Sequence, residues 1–202
     1  GRRIPQDADL DHVEKTAVII DAVAEPVILG QSSSPWLTVP KGSLTACRKV
    51  LGKSSYRAMA GCTTWLNGVY WVDILKRQGN HLVIRNHHNI GKTTGLDQVE
   101  ARIESKFVFP LLRGEGVSRW KTACTTYAVV PQDSKERIGF PEEVIQRKAP
   151  LPFSYLKNFQ RPLRARSGFK KYFKSKGPFY SVYNVSEATF SPHKVVWRDM
   201  GS

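Results

Sequence analysis

The stretch YRAMAGCTTWLNGVYWVDIL at residues 56–75, with HLVIRN at residues 81–86, decides the fold class of this chain. Both stretches are rich in aromatic and β-branched residues, which favour strands. Gly61 and the pair Asn67-Gly68 interrupt the first stretch, and such residues are typical of turns. The pattern predicts a hairpin over residues 56–75 and a sheet that continues through residues 81–86.

Further strands and a helical region follow. The pattern predicts one or two strands in residues 96–112 with a break at Pro110, a short helix near residues 115–119, and a buried strand at residues 124–131. Helix signals follow at PEEVIQRK (141–148) and PFSYLKNFQRPLRARS (152–167), where Ser154 is expected to cap the second helix and Pro162 to kink it. We predict an α/β mixed (α+β) fold, a twisted mixed sheet with helices packed around it.

The beginning of the chain has a different character. The apolar run at residues 17–29 is interrupted by Asp21 and Glu25, and predicts either a helix leading into a strand or two short strands. A helix is predicted after Pro40, with Ser43 as its N-cap, Gly52 as its end and one apolar face made of Leu44, Cys47, Val50 and Leu51. We expect residues 1–35 to be a linker or edge segment from a longer protein and residues 36–202 to be one domain.

The last apolar stretch is PFYSVYNVSEATFSPHKVVWR, residues 178–198. Its alternation predicts one or two strands that anchor the core, with Lys194 and Arg198 left free for contact with a partner.

The charge of the chain is strongly positive and unevenly distributed. The net charge is +14; residues 1–30 hold three Lys/Arg against six Asp/Glu, whereas residues 145–202 hold twelve against two, a net of +10. Clustered positive charge attracts polyanions, of which nucleic acid is the commonest.

The cations from residue 157 onward are predicted to contact DNA phosphates. Between residues 157 and 176 they are interleaved with aromatic residues, and no acidic residue occurs there to compensate their charge. They are Lys157, Arg161, Arg164, Arg166, Lys170, Lys171, Lys174, Lys176, Lys194 and Arg198. Reading of bases requires polar side chains on loops that fit a groove. The candidates are Asn67, Asn86, His87, His88, Asn89, Arg113 and Arg119.

Motifs for independent catalysis or a metal centre are lacking, and no catalytic or metal-binding residue is predicted. Asp97, Glu104 and Lys106 form a weak nuclease-like set, which is kept as an alternative. Three widely spaced cysteines favour a reducing, cytoplasmic setting, and no apolar run is long enough for a membrane span.

Several of these stretches resemble, in the same order, the C-terminal specificity region of adenine-N6 DNA methyltransferases from restriction-modification and related phage-defence systems. The resemblance covers most of residues 36–198 and is sharpest at PLLRGEGVSRW (110–120) and at PFYSVYN…TFSPHKVVWR (178–198). It implies a target-recognition-domain-like fold whose partner is double-stranded DNA.

The same resemblance implies that methyl transfer is performed elsewhere. The family's catalytic domain carries an (Asn/Asp)-Pro-Pro-(Tyr/Phe) tetrapeptide and binds S-adenosylmethionine, but no two prolines are adjacent in this chain. We therefore expect no cofactor in this chain, S-adenosylmethionine in the full-length enzyme, and a catalytic domain on the same polypeptide or on a partner subunit. Open alternatives are a stand-alone specificity subunit, a nuclease domain and an RNA-binding module.

Overall fold

A computed structural model describes residues 7–18, 20–91, 95–135 and 137–197 of the chain. Contacts within the chain divide it into two units, residues 1–58 and residues 59–202. The boundary expected between residues 35 and 36 falls inside the first unit, where it would separate two paired strands.

The first unit consists of a short helix, a hairpin and a second short helix. These elements are α1 (Leu10–Thr16), β1 (Ala22–Pro26), β2 (Trp36–Pro40) and α2 (Leu44–Lys49). Asp9 caps α1 by accepting a hydrogen bond from the His12 N–H, and the strands pair antiparallel from Ala22 with Pro40 to Pro26 with Trp36. The helix ends before the apolar run at residues 17–29, and the described part of that run contains the single strand β1, so neither predicted interpretation of the run is correct.

Helix α2 lies where it was expected but differs in its cap and its apolar face. Ser43 precedes it without a side-chain capping hydrogen bond, and the helix ends at Lys49. Val50 and Leu51 follow the helix and are exposed. The single apolar face predicted for this segment is therefore wrong.

The second unit is built on a five-stranded sheet with the order β5-β4-β3-β9-β6. Its helix α3 (Asn67–Tyr70) is followed by the strands β3 (Trp71–Gln78), β4 (His81–Asn86), β5 (Glu100–Glu104), β6 (Val108–Leu111), β7 (Val117–Ser118), β8 (Lys121–Thr122) and β9 (Thr126–Val129). The α+β class is confirmed, and the pairings within the sheet are antiparallel rather than mixed.

The first hairpin of this sheet is shifted from its predicted position. Asn67-Gly68 begins the single helical turn α3, and the chain reverses at Gly79-Asn80 between β3 and β4. Packing favours glycine at position 68, because a Cβ there would lie 2.8 Å from Leu96 Cδ1 and 3.2 and 3.3 Å from the carbonyl oxygens of His87 and His88. Asn67 and Gly68 therefore do not form the predicted hairpin turn; the glycine is explained by close packing instead.

Strand β6 forms an edge of the sheet and contains Pro110, where a break was expected. Proline is tolerated on an edge strand because its missing N–H faces outward. The helix expected near residues 115–119 is a single 3-10 turn, Gly114–Gly116, which leads into β7.

Helices cover the sheet after residue 141. They are α4 (Glu142–Lys148), α5 (Pro150–Asn158), α6 (Gln160–Ala165), a π-helical turn (Phe169–Phe173) and α7 (Glu187–Phe190). Ser154 lies inside α5 and does not cap it. The break falls at Phe159, so that Pro162, which has no N–H to donate, occupies the first turn of α6.

The first part of residues 178–198 is buried core without being strand, whereas Val195 and Trp197 near its end are exposed. Phe179, Tyr180 and Val182 are buried, but the segment forms only one isolated bridge, between Tyr183 and Thr63. Side chains replace a neighbouring strand here: the Gln132 amide exchanges two hydrogen bonds with Val182, and Tyr70 Oη donates to the Tyr180 carbonyl at 2.8 Å. Buried backbone groups need partners, which these side chains supply. The predicted anchoring therefore holds for the first part of the stretch, and the predicted strands are wrong.

Candidate nucleic-acid interface

Seven exposed cations form a basic surface on the second unit. They are Lys157, Arg161, Arg164, Lys170, Lys171, Lys174 and Lys176. The ion pairs of the described residues join other side chains, so none of these seven is in a salt bridge there. Positive charge that is uncompensated by neighbouring acids is available to a polyanion.

Helical periodicity creates this surface, because the same helices bury their apolar residues on the opposite side. Leu156, Phe159 and Leu163 of the α5–α6 region are buried. The π-helical turn buries Phe169 and Phe173 while Lys170, Lys171 and Lys174 remain exposed, and Lys174 N donates to the Phe169 carbonyl at 2.9 Å. Single π turns are frequent at functional sites.

Arg166 was predicted to contact phosphate, and the structure contradicts this. It is only 6% exposed, and its guanidinium donates to the carbonyls of Leu163, Thr64, Phe179 and Ser181 at 2.5 to 3.2 Å. These acceptors are all backbone oxygens, the guanidinium also lies 5.3 Å from the Tyr70 ring centroid, and burial lowers the pKa of Arg166. Arg166 therefore holds the final segment in place and does not reach a ligand.

An aromatic cluster adjoins the basic surface. The Trp65 ring lies 5.5 Å from Tyr172 and 5.3 Å from Tyr183, and the two tyrosine rings are stacked at 4.6 Å between centroids. Gly168 makes this packing possible, because a Cβ at that position would overlap the Trp65 indole. All three rings are half-buried, so the cluster joins the basic segment to residues 62–65.

Two of the predicted base-reading residues have structural roles. Asn86 is 2% exposed; its amide donates to the carbonyls of Gly68 and Asp97 and its oxygen accepts from Val99 N at 2.7 Å. Asn67 Oδ1 accepts from Thr64 Oγ1 at 2.5 Å. Asn86 is enclosed and fully bonded and cannot read a base in this conformation.

The remaining candidates are accessible to different degrees. His87 Nε2 lies 2.8 Å from Asp73 Oδ1, His88 is half-buried and Asn89 is exposed. Arg113 lies 4.5 Å above the Trp71 ring and pairs with Glu115 at 2.9 Å, whereas Arg119 is exposed. Lys194 is exposed and Nζ donates to the Thr189 carbonyl, while Arg198 lies outside the described residues.

A cleft of about 470 Å³ lies beside Asn67 and Arg113, two of the predicted base-reading residues. The residues that line it include Cys62, Thr63, Thr64 and Asn67 from one segment of the chain and Arg113, Gly114 and Glu115 from another. Burial raises the pKa of the Cys62 thiol, while the positive charge of Lys194 acts in the opposite direction. Thr64 precedes Trp65 in the chain, so the cleft lies next to the aromatic cluster.

The nuclease-like set is not brought together. Asp97 lies beside Asn86, to which its carbonyl is bonded, whereas Glu104 pairs with His81 at the other end of the same two strands. Five residues of strand separate these ends, roughly 16 Å. One Mg²⁺ cannot bind both carboxylates at that distance. No group of three metal-binding side chains occurs among the described residues.

Comparisons of this chain with protein-family models, curated proteins and solved structures found no match. Across the described residues, none of the helices combines the length and apolar character that a membrane crossing needs.

Sequence reasoning missed the burial of Arg166 and the exposure of Trp120. Arg166 belongs to a run of cations that looks uniformly solvated, and only the fold distinguishes it. Trp120, at the tip of β7–β8, is 92% exposed. The sequence offered one indication of this exposed turn, the pair Arg119-Trp120 between Val117-Ser118 and Lys121-Thr122.

Proposed function

We propose that residues 59–202 form a DNA target recognition domain that binds double-stranded DNA for an adenine-N6 DNA methyltransferase. The parent system would be one of restriction-modification or phage defence, working in the cytoplasm. In this proposal the domain positions the target adenine, and a catalytic domain outside these 202 residues binds S-adenosylmethionine and transfers the methyl group. Nothing in this chain fits that cofactor's motif, so no catalytic step is assigned to it.

The observation that carries DNA binding is the basic surface. Its seven cations occupy twenty residues of sequence, are all exposed and have no acidic partner among the described residues. Such a surface gains affinity from neutralising phosphates and releasing counterions, which makes binding strongly dependent on salt. Lys194 adds an eighth exposed cation close to the cleft.

The methyltransferase assignment has a separate support, the ordered resemblance of residues 36–198 to that family's specificity region. Arg119, His88 and Asn89 remain base-reading candidates because each has exposed or half-exposed polar atoms. Phosphate contacts give affinity and register, and contacts to base edges give sequence choice.

The test is binding of the 202-residue chain to a mixed-sequence duplex, measured by fluorescence anisotropy across a salt series. We expect affinity to fall steeply with salt. In the triple variant Arg161→Glu, Arg164→Glu, Lys171→Glu, the slope of log K against log [salt] should become shallower by roughly 2 to 3.

A matched control reverses three exposed cations elsewhere in the same unit, Lys76→Glu, Arg77→Glu and Lys135→Glu, for the same change in net charge. This variant should retain most of the affinity. Equal losses in the two variants would show that only the overall charge matters, and absence of duplex binding at low salt would refute the proposal.

Two alternatives have distinct outcomes. Stronger binding to double-stranded RNA than to the same DNA sequence would identify an RNA-binding module. If binding to DNA is confirmed, the coding sequence around residue 1 distinguishes a fused enzyme, with the proline-pair tetrapeptide on the same polypeptide, from a separate specificity subunit.

A further inference from the structure

A two-stranded arm extends the edge of the five-stranded sheet. Strands β6 and β9 pair from Val108 with Val129 to Leu111 with Thr126, and the same two chain segments then continue as the β7–β8 ladder. The Ala123 N–H donates to the Gly116 carbonyl at 2.8 Å and closes the base of that ladder. A two-stranded β ribbon is narrow enough to enter the major groove of DNA.

The tip of this arm is the pair Arg119-Trp120. The last strand pairing joins Ser118 with Lys121, so these two residues alone make the turn. Trp120 is 92% exposed, the highest exposed fraction of any large apolar residue in the described chain, and Arg119, Lys121 and Ser118 are also exposed. A large aromatic ring is thus held in solvent among cations.

The backbone of the turn does not explain the choice of tryptophan. Trp120 has φ of 61°, and glycine or asparagine suits this conformation better than a bulky residue. Exposure of an indole also forfeits the stabilisation that its burial would give. Both observations disfavour tryptophan in the free protein, so a role in binding accounts for it better than a role in folding.

We propose that Trp120 is a base-stacking wedge that inserts between the bases of duplex DNA while the neighbouring Lys121 contacts a phosphate. The inference rests on the proposed binding of duplex DNA and adds the point at which the duplex is opened. A flat aromatic ring stacks on any base, whereas a cation beside it holds the phosphate backbone.

The base of the arm connects with the rest of the candidate interface. Arg113 and Glu115, which precede β7, line the same cleft as Thr64, which is followed in the chain by Trp65 of the aromatic cluster. Gly116 is needed at this junction, because a Cβ there would overlap the Ala123 carbonyl oxygen. The arm is therefore attached by tight packing next to the cleft.

The experiment compares the full chain with Trp120→Asn and Trp120→Phe on two mixed-sequence duplexes. One duplex is intact, and the other has one central abasic position that can receive an aromatic ring. We expect the wild-type chain and Trp120→Phe to prefer the abasic duplex by on the order of 10-fold, and Trp120→Asn to lose that preference. Tryptophan emission should be quenched on binding in the wild-type chain more than in Trp120→Asn.

Trp120→Asn suits the positive φ of the turn, so its fold should be retained, which circular dichroism verifies. Trp197→Ala, which removes another exposed tryptophan, is the control and should keep the preference. If the wild-type chain and Trp120→Asn bind both duplexes alike with equal quenching, the wedge is refuted while duplex binding stands. If the wild-type chain binds neither duplex, the proposed function itself fails, and binding to single strands alone would overturn both.

Discussion

Arg164 and Arg166 contact different parts of one residue, the ring and the backbone carbonyl of Phe179. The Arg164 guanidinium lies 5.3 Å from the Phe179 ring centroid and is exposed, while Arg166 Nη2 donates to the Phe179 carbonyl at 2.8 Å and is buried. Two arginines separated by a single residue in the sequence therefore have different roles, Arg164 at the surface and Arg166 inside the fold.

The first prediction separates these two roles. Arg166→Lys should lower the free energy of unfolding by on the order of 3 kcal/mol, because an ammonium cannot bond four carbonyls in different directions. Arg164→Ala should change it by less than about 1 kcal/mol and weaken DNA binding instead. Denaturant unfolding and anisotropy measure the two effects. Similar stability losses in both variants would contradict the assignment.

The second prediction concerns the buried amide of Asn86. Asn86→Asp keeps the shape but places an oxygen against the carbonyls of Gly68 and Asp97, so stability should fall by at least about 2 kcal/mol. Asn89→Asp, at an exposed position three residues away, should be within about 0.5 kcal/mol of wild type. Thermal unfolding of both variants tests this, and a stable Asn86→Asp chain with altered DNA preference would restore the base-reading role.

The third prediction tests the packing of Trp65 on Gly168. Gly168 has ordinary helical dihedral angles, φ −62° and ψ −40°, so alanine would normally be favourable there. The clash with the indole should outweigh that preference, and Gly168→Ala should destabilise the second unit by about 1 to 3 kcal/mol. Gly114→Ala has open space around its Cβ and is the control. Calorimetry that found Gly168→Ala neutral would contradict this packing.

The fourth prediction is loss of stability in alkali. Burial raises the pKa of Tyr70 to about 12 from an ordinary value near 10, and it also raises the pKa values of Tyr155 and Tyr180. Between pH 10 and 12 the unfolded chain releases the Tyr70 proton while the folded chain keeps it, so stability falls as pH rises. Tyr70 alone contributes up to roughly 3 kcal/mol to this loss.

Circular dichroism and tyrosinate absorbance, followed together during an alkaline titration, measure this effect. Ionisation of the buried tyrosines should coincide with unfolding. Tyr70→Phe should weaken the pH dependence above pH 10, while Tyr56→Phe, at an exposed position, should not change it. Ionisation of all tyrosines before any loss of structure would show that they are not enclosed as described.

Local patterns predicted the elements whose cause is local. Strand β4 in HLVIRN, the buried strand at Thr126–Val129 and the helix at Glu142–Lys148 follow from composition and periodicity. The basic surface was equally visible, because seven of the eight cations between residues 157 and 176 are exposed.

Features with long-range causes could not be predicted in this way. Residues 178–183 look like a strand because their aromatic and β-branched residues alternate as in a strand. Their backbone is instead bonded by the side chains of Gln132, Arg166 and Tyr70, which lie at other positions in the sequence. Asn67-Gly68 looks like a hairpin turn, but the packing of Gly68 against Leu96 decides its role. The burial of Arg166 depends on the same long-range contacts.

The β7–β8 arm is also a place where residues could be inserted or deleted while the pairing of the five-stranded sheet is preserved. Its ladder begins beyond the pairing of Leu111 with Thr126 and ends in a two-residue turn, so paired insertions or deletions would alter its length while leaving the sheet register intact. Because side chains alternate between the two faces of a strand, only the addition of two residues to each strand keeps Trp120 on the same face, and it would move the tip by roughly 6.6 Å, about two base-pair separations. The length of the arm could therefore be changed by protein engineering in steps of two base pairs.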